Sequence, residues 1–429
     1  MKRSIKIAVA AALALSGTSA FATNGDHLIG MGAKARGMGG IGIGMSHGAE
    51  TALSNPALIT SVKGSEVSFG GTVFMPDVAT NMGAGYSTSD ADLSVIPEVA
   101  IASKVSDNFY VGVGMFGVAG MGTDYRDATG YTSNMNMVTN LQLMQFAVPL
   151  AYKVDAFSFG IAPVLQYGSL DINYDMTGMM PGATSSQTQG VAQDFGYGYN
   201  VGVAFSEEGL TVGASYKSAI DMVYKGQISS AADQFNLGDI DGNPATANNV
   251  GLSDHLEQPA EMGVGASYAF GGNTIAFDYK RINWSDAKGY KDFGWDDQDV
   301  YIIGYQFAQD NWALRAGYNY AKSPIKAKSA ASMMTPGDYD GAVLNTLNLL
   351  GFPAIVEEHY TIGASYAFNK MTSIDLAYVY VPEVTETFDN SALMQAVTYA
   401  NGGDPTGVTS SVSTKHSQDA LSFQVNFAF

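Results

Sequence analysis

The last eleven residues, DALSFQVNFAF, alternate without a break. Leu421, Phe423, Val425, Phe427 and Phe429 fall on one side, and Ser422, Gln424, Asn426 and Ala428 on the other. Successive side chains of a strand point to opposite faces, so this segment reads as a strand with one apolar and one largely polar face. The pattern recurs in NWALRAGYNYA, where Trp312, Leu314, Ala316, Tyr318 and Tyr320 oppose Ala313, Arg315, Gly317 and Asn319. It recurs again in HYTIGASYAF from His359 to Phe368. The hexamer GASYAF appears at Gly265–Phe270 and at Gly363–Phe368, each time just before a tight turn, the echo of one hairpin type rather than of a solenoid.

One such strand would suit a soluble sandwich; composition points elsewhere. Charged residues make up 14% of the chain, against roughly a quarter in soluble domains. There are 50 glycines, 24 tyrosines and 21 phenylalanines. No apolar run of about 20 residues, the length a membrane helix needs, follows the N-terminus. The expected fold is all-β: a transmembrane antiparallel barrel, whose lipid-facing surface is hidden in alternation rather than in runs.

The N-terminus supports export. Lys2, Arg3 and Lys6 precede IAVAAALAL and then Ala20-Phe21-Ala22, a charged, apolar and small-residue succession that reads as a secretory signal peptide over residues 1–22, cut after Ala22. Removing three of the 21 basic residues and none of the 40 acidic ones leaves 18 against 40, a formal charge of −22. So acidic a chain is a poor nucleic-acid ligand and lacks the basic clusters that hold anionic lipid. Cysteine is absent, so packing and hydrogen bonds must hold this exported chain together.

Candidate strands begin near Glu66, Leu93, Asn108, Val138, Ala156, Asp194, Leu210, His255, Thr274, Asp299, Asn311, Glu358, Met371 and Asp419, fourteen in all. Short turns (VSDN, VDA, SEEG, FGGN, AQDN, FNKM) follow the even strands. Long polar loops, such as Gly226–Asp254, Lys322–Glu357 and Pro382–Gln418, follow the odd ones. Short turns at one end and long loops at the other is the plan of bacterial outer-membrane barrels. Fourteen strands enclose more space than their own inward side chains fill. The division expected is therefore a hatch, or plug, over residues 23–64 inside the lumen and a barrel over 65–429.

Specific motifs then stand out. SNPALIT at Ser54–Thr60 after the glycine-rich GMGGIGIG, VSFGGTVFMPDV at Val67–Val78, INWSD at Ile282–Asp286 and NWALRAGYNYAKSPI at Asn311–Ile325 together resemble the outer-membrane long-chain fatty-acid and aromatic-hydrocarbon transporter (FadL-type) family. The resemblance runs through nearly the whole mature chain, the loops matching poorly. It implies a fourteen-stranded barrel with an N-terminal hatch, in the bacterial outer membrane, for passive uptake of long-chain fatty acids or related hydrocarbons. Asn55, Pro56 and Ala57 would form a hatch motif, Pro56 fixing its own φ and biasing Asn55 toward extended geometry. Family transporters release ligand sideways through a kinked third strand. Here that strand reads FYVGVGMFGVAGMG, and Gly112, Gly114, Gly117 and Gly120 mark the expected kink and lateral opening.

The implied ligand is a hydrophobic small molecule, the surroundings are outer-membrane lipid, and a monomer without nucleic-acid partners is expected. Methionines grouped at Met135–Met137, Met176–Met180 and Met333–Met334 suit an adaptable apolar surface. The loop segment Ala342–Val356 is apolar enough to cover the mouth, or else packs on neighbouring loops. Arg126, Lys288 and Lys291 are candidates, by region, for a ligand carboxylate, while Arg315 is expected to face the lumen and pair with an acid. With no basic group along the path, a neutral hydrocarbon becomes the better substrate.

Other motifs carry less. Gly37-x-Gly39-x-x-Gly42 follows no strand and opens no βαβ unit, so it is no dinucleotide site. DIDGN at Asp239–Asn243 and DDQD at Asp296–Asp299 lack the terminal glutamate of a calcium loop, and Glu357-Glu358-His359 lacks a second histidine for zinc. No cofactor, metal or catalytic residue is expected. The alternatives are a general diffusion porin and, by class analogy only, a lipid-modifying barrel enzyme.

Overall fold

In the computed structural model, residues 23–126, 134–177, 179, 190–236 and 250–429 are described. The expected leader over 1–22, DIDGN at Asp239–Asn243 and part of Met176–Met180 lie outside them.

Fourteen antiparallel strands run in order around a closed wall. They are β1 (Ser65–Asn81), β2 (Ser94–Lys104), β3 (Phe109–Asp124), β4 (Val138–Ala147, continued after Pro149 by Leu150–Val154), β5 (Phe157–Asn173), β6 (Ala192–Glu207), β7 (Leu210–Lys217), β8 (Glu261–Phe270), β9 (Asn273–Ile282), β10 (Gln298–Gln309), β11 (Trp312–Ala321), β12 (Glu358–Ala367), β13 (Thr372–Asp389) and β14 (Ser411–Ala428). The ladder of β14 with β1, from Ala428↔Glu66 to Ser413↔Asn81, closes the ring, leaving no exposed edge in lipid.

The alternation sorts as the sequence requires. In β14 Leu421, Phe423 and Phe427 are exposed on the outside, while Ser422, Gln424 and Asn426 are buried inside. Two expected starts are well off. The segment at His255 makes only single bridges, Val223↔His255 and Ile220↔Gln258, and β8 begins at Glu261. β14 begins at Ser411 rather than Asp419, because it rises with β13 beyond the apolar band, where alternation loses its hydrophobic mark. The loop expected over Pro382–Gln418 thus shrinks to 390–410, and Pro382 sits at a register shift between Val381 and Val384, where a strand tolerates proline.

Residues 23–64 lie against the inward faces of strands on every side. Asn24 bonds β11 through Asn319, Ala33 bonds β14 through Gln424, and Thr60 bonds β5 through Ser158. The segment contains a short paired turn (Thr23–Asn24 with His27–Leu28), the helix α1 (Gly32–Arg36), and 3-10 turns at Gly48–Ala52 and Pro56–Ser61. At the opposite end from the short turns, three helices fold among the long loops: α2 (Ile228–Asp233), α3 (Asp338–Gly351) and α4 (Ser391–Ala400).

Candidate functional site

The lumen is filled from both ends, and its fittings explain several sequence features. Asn55 is wholly buried; its side chain caps the turn by accepting from Ala57 N at 3.1 Å and donates to the Ile43 carbonyl at 3.0 Å, with Pro56 in the first helical position. The corner lies so close to the wall that a Cβ on Gly202 would stand 2.0 Å from Asn55 Oδ1, and one on Gly160 2.3 Å from Ala57 N. The same holds further round: a Cβ on Gly213 would meet Ile43 O at 2.0 Å, and one on Gly317 would meet Gly39 N at 2.1 Å. Inward glycines of β5, β6, β7 and β11 thus form a belt on which the backbone of residues 37–57 rides directly.

Charge adds to the seat. Gly42, Ile43 and Gly44 point three successive amides at Asp278 of β9, at 2.8, 2.8 and 2.9 Å. The glycine run rejected as a nucleotide loop therefore does bind an anion, a carboxylate of its own wall. Arg36, 2% exposed, forks onto Glu98 of β2 and donates to Thr72 of β1 at 2.8 Å. Lys34 lies 3.2 Å from Glu50 and 3.6 Å from Asp375, and Arg315, facing the lumen, lies 3.9 Å from the same Asp375.

From the loop side, α3 begins at Asp338, ahead of the expected Ala342, and does more than pack on neighbouring loops. Its last carbonyls, which no helix can satisfy internally, are taken up by strand hydroxyls: Thr414 donates to Leu349 O at 2.7 Å, Thr123 to Leu350 O at 3.0 Å, and Thr139 to Gly351 O. His416 stands 2.8 Å from the Pro353 carbonyl. The helix end is thereby set into the barrel mouth.

Between this helix and the N-terminal segment lies an apolar chamber, walled by Met121 and Leu141 of the strands, Ile228 of α2, Phe293 and Trp295 of the 283–297 loop, and Phe352 after α3. It consists of two adjoining voids of about 10 Å³ each, room for roughly one water apiece. Trp284, Tyr290 and Trp295 pack ring against ring, with centroids 4.7 to 5.0 Å apart. Trp295 donates to Asn348 of α3 at 2.9 Å. Below, Tyr290 bonds Asp26 of the N-terminal turn, and Gln258 reaches both Asp26 (3.3 Å) and His27 (2.6 Å). Burial raises the Asp26 pKa, only partly offset by His27, Tyr290 and Gln258. Two polar voids of about 30 and 20 Å³ follow, with Lys217 and Glu261 in both and Lys280 in the second.

β3 is unusual beside this chamber. Its alternation ends at Val113, and every residue from Gly114 to Asp124 is buried. The β2–β3 ladder stops at Glu98↔Phe116, so Ser94–Pro97 of β2 pair only with β1. The register with β4 shifts between Gly117 and Ala119. Ala119 pairs with Leu143 of β4 on one side and with His27 on the side β2 has left, and Gly120 N donates to Asp26 O at 3.1 Å. Gly112 lies in the regular part of the strand, its amide on Pro149 O at 2.8 Å, whereas Gly114, Gly117 and Gly120 lie where both faces of the strand are buried.

The basic residues singled out from the sequence do not reach the chamber. Arg126 is clasped by Asp124 and largely exposed. Lys288 bonds Asp221 at 2.6 Å on the loop surface; partial burial acts to raise the Asp221 pKa, but Lys288 and His255 outweigh it and hold the carboxyl below its ordinary value. Lys291 is exposed. Sequence reading missed the Trp284–Tyr290–Trp295 cluster, although four aromatics, these three and Phe293, within twelve consecutive loop residues, away from any strand, were a usable signal. It also missed Asp278, an acid in the inward register of TIAFDYKRI.

The sequence model of the family described as "Outer membrane protein transport protein (OMPP1/FadL/TodX)" matches residues 7–346. A long-chain fatty acid transport protein of Salmonella typhi is 23% identical over 389 residues, 79% of this chain and 85% of that one. A FadL homologue of Pseudomonas aeruginosa superposes with a TM-score of 0.67 at 16% identity, over 94% of this chain and all of that one. The Pseudomonas putida toluene transporter TodX superposes with a TM-score of 0.65 at 18% identity, over 95% and 100% of the two chains.

Proposed function

This chain belongs to the OMPP1/FadL/TodX family of outer membrane transport proteins, and on that premise we propose that it takes up neutral hydrophobic compounds passively and releases them sideways at β3. Residues 23–64 act in this reading as the hatch, and the chain works as a monomer. Ligand enters under α3, wedges apart the aromatic and aliphatic walls of the chamber, and leaves through the seam where β3 parts from β2. Burial of apolar surface drives each step, and a lateral exit keeps the ligand out of water.

The observation that carries the reading is the seam itself, ladder hydrogen bonds absent between Ser94–Pro97 and the buried stretch of β3 that carries the chamber residue Met121. Among the described residues the chamber walls hold no ammonium or guanidinium, and the buried carboxyl below them is that of Asp26, bonded by Tyr290. That chemistry disfavours an anion and favours a hydrocarbon. A second reading, long-chain fatty acids, has its own observation: Lys217 and Lys280 flank Glu261 in the polar voids beneath, at 2.8 and 3.5 Å, where a carboxylate end would arrive. A general diffusion porin would need an open aqueous lumen, and the four lumenal voids described above measure only about 10 to 30 Å³ each among the described residues.

The seam can be stapled. A Cβ on Gly117 would lie 3.8 Å from the Ile96 Cβ, the separation a disulfide prefers, and the chain has no other cysteine. Ile96→Cys/Gly117→Cys, expressed in a host lacking its own hydrophobic-compound transporters, should take up labelled toluene when reduced and lose uptake when oxidised. Oleate carried instead of toluene would select the second reading. Equal uptake in both redox states would sink the lateral path, and no uptake of either compound by the assembled wild-type protein would sink the transporter.

A further inference from the structure

A further cavity lies on the outside of the barrel. It is a trough of about 640 Å³ across β4 to β7, within the size range of ligand sites. Two rows of outward residues form it: Tyr152, Phe159, Val203 and Ala214 in one row, Leu150, Ile161, Val201 and Tyr216 in the next, each aligned by the ladder pairs. Small and β-branched side chains on β6 and β7 make the floor. Phe157 and Phe205, edge to face at 5.1 Å, close the end nearest the turns, and Tyr199 with Tyr216, 6.2 Å apart, bound the other. No charged side chain lines it.

We propose that this trough is a binding site for one acyl chain of a phospholipid from the periplasmic leaflet. Its height fits: the trough lies within seven residues of the short turns at Asp155-Ala156 and Glu208-Gly209. At about 3.4 Å per residue and a tilt near 45°, it ends within about 17 Å of these turns, so nearly all of it lies in the periplasmic half of a hydrocarbon core of roughly 30 Å. It opens to the bilayer and not to the lumen. The β5–β6 ladder runs unbroken from Phe157↔Phe205 to Leu170↔Ala192, and the β6–β7 ladder from Glu207↔Leu210 to Asn200↔Lys217. Behind them Gly160 and Gly202 rest on Asn55 and Ala57. Cargo in the lumen has no way through this wall, so the occupant comes from the membrane. An all-apolar lining selects a hydrocarbon chain rather than a headgroup or a protein loop.

The test fills the floor. Full-length wild type, Ala214→Trp, Val203→Trp and the outward control Ala364→Trp on the opposite wall are purified from outer membranes in mild detergent. Assembly is checked by heat-modifiable migration, and bound lipid is read by native mass spectrometry. The wild type and A364W should each retain a single phospholipid, and whichever of A214W and V203W assembles should lose it to background. Equal retention in the filled variants, loss in the control as well, or a wild type that carries only detergent, lipopolysaccharide or free cargo would overturn the assignment.

Discussion

Adding one methyl group at Gly317 should unseat the hatch while leaving the barrel intact. The Cβ of Gly317→Ala would lie 2.1 Å from Gly39 N and from Met38 C, both backbone atoms that no rotamer change can move aside. Closing the gap from 2.1 Å to the 3.4 Å of ordinary contact requires the hatch to retreat by about 1.3 Å. That retreat stretches the Gly39 N bond to Thr361 from 2.9 Å, and the Asn319 bond to Gly39 O from 3.0 Å, beyond hydrogen-bond length. Overpacking costs about 1–3 kcal/mol, and each buried bond lost adds about 1 kcal/mol. The seated state should weaken by roughly 3–5 kcal/mol, a hundred- to few-thousand-fold shift in its equilibrium at about 1.4 kcal/mol per decade. Strand β11 itself should not suffer, since alanine replaces a strand glycine without backbone penalty. The expected result is a heat-modifiable, membrane-inserted barrel with channel conductance in planar bilayers and sensitivity to large hydrophilic antibiotics. A G317A barrel as tight as the wild type, with residues 23–64 equally resistant to protease, would refute the backbone-on-glycine seat.

Arg36→Leu removes the partner of Glu98, leaving a carboxylate buried without a counter-charge, which costs about 3–5 kcal/mol; the urea midpoint of hatch release should fall, and Glu98→Gln in the same chain should restore part of it. Arg126→Ala and Lys288→Ala should leave uptake within about a factor of two, because their partners Asp124 and Asp221 hold them away from the chamber, exposed pairs of this kind contribute little, and neither lines it. A large loss of fatty-acid uptake in either variant would reinstate the loop cations as a carboxylate site.

The sequence carried most information where a single solvent imposed a single rule. On the outside, lipid demands an apolar residue at every second position, so the fourteen strands were legible, and β14 was misjudged only above the bilayer where that rule lapses. Inside, no such rule operates. Gly160, Gly202, Gly213 and Gly317 occupy inward positions that alternation marks merely as not apolar, and their common purpose appears only when the hatch backbone is laid across them. Arg36 and Glu98 are 62 residues apart, and nothing local tells an arginine in a short helix from one facing water. The glycine run at Gly37–Gly44 shows the limit most clearly. Its spacing was set aside as no nucleotide loop, and nothing local points to the partner it does receive, Asp278, 236 residues beyond Gly42 and brought there by barrel closure. The same reasoning bears on specificity. Charged residues that grip the N-terminal segment, Asp278 and Glu98, each have one acceptable kind of partner, whereas the chamber walls Met121, Leu141, Phe293 and Phe352 are apolar side chains that another apolar side chain can replace at modest cost. If the chamber takes the cargo as proposed, a chain under selection for a different hydrophobic cargo can repaint the chamber while leaving the belt, the Asp278 nest and the Arg36 clasp untouched.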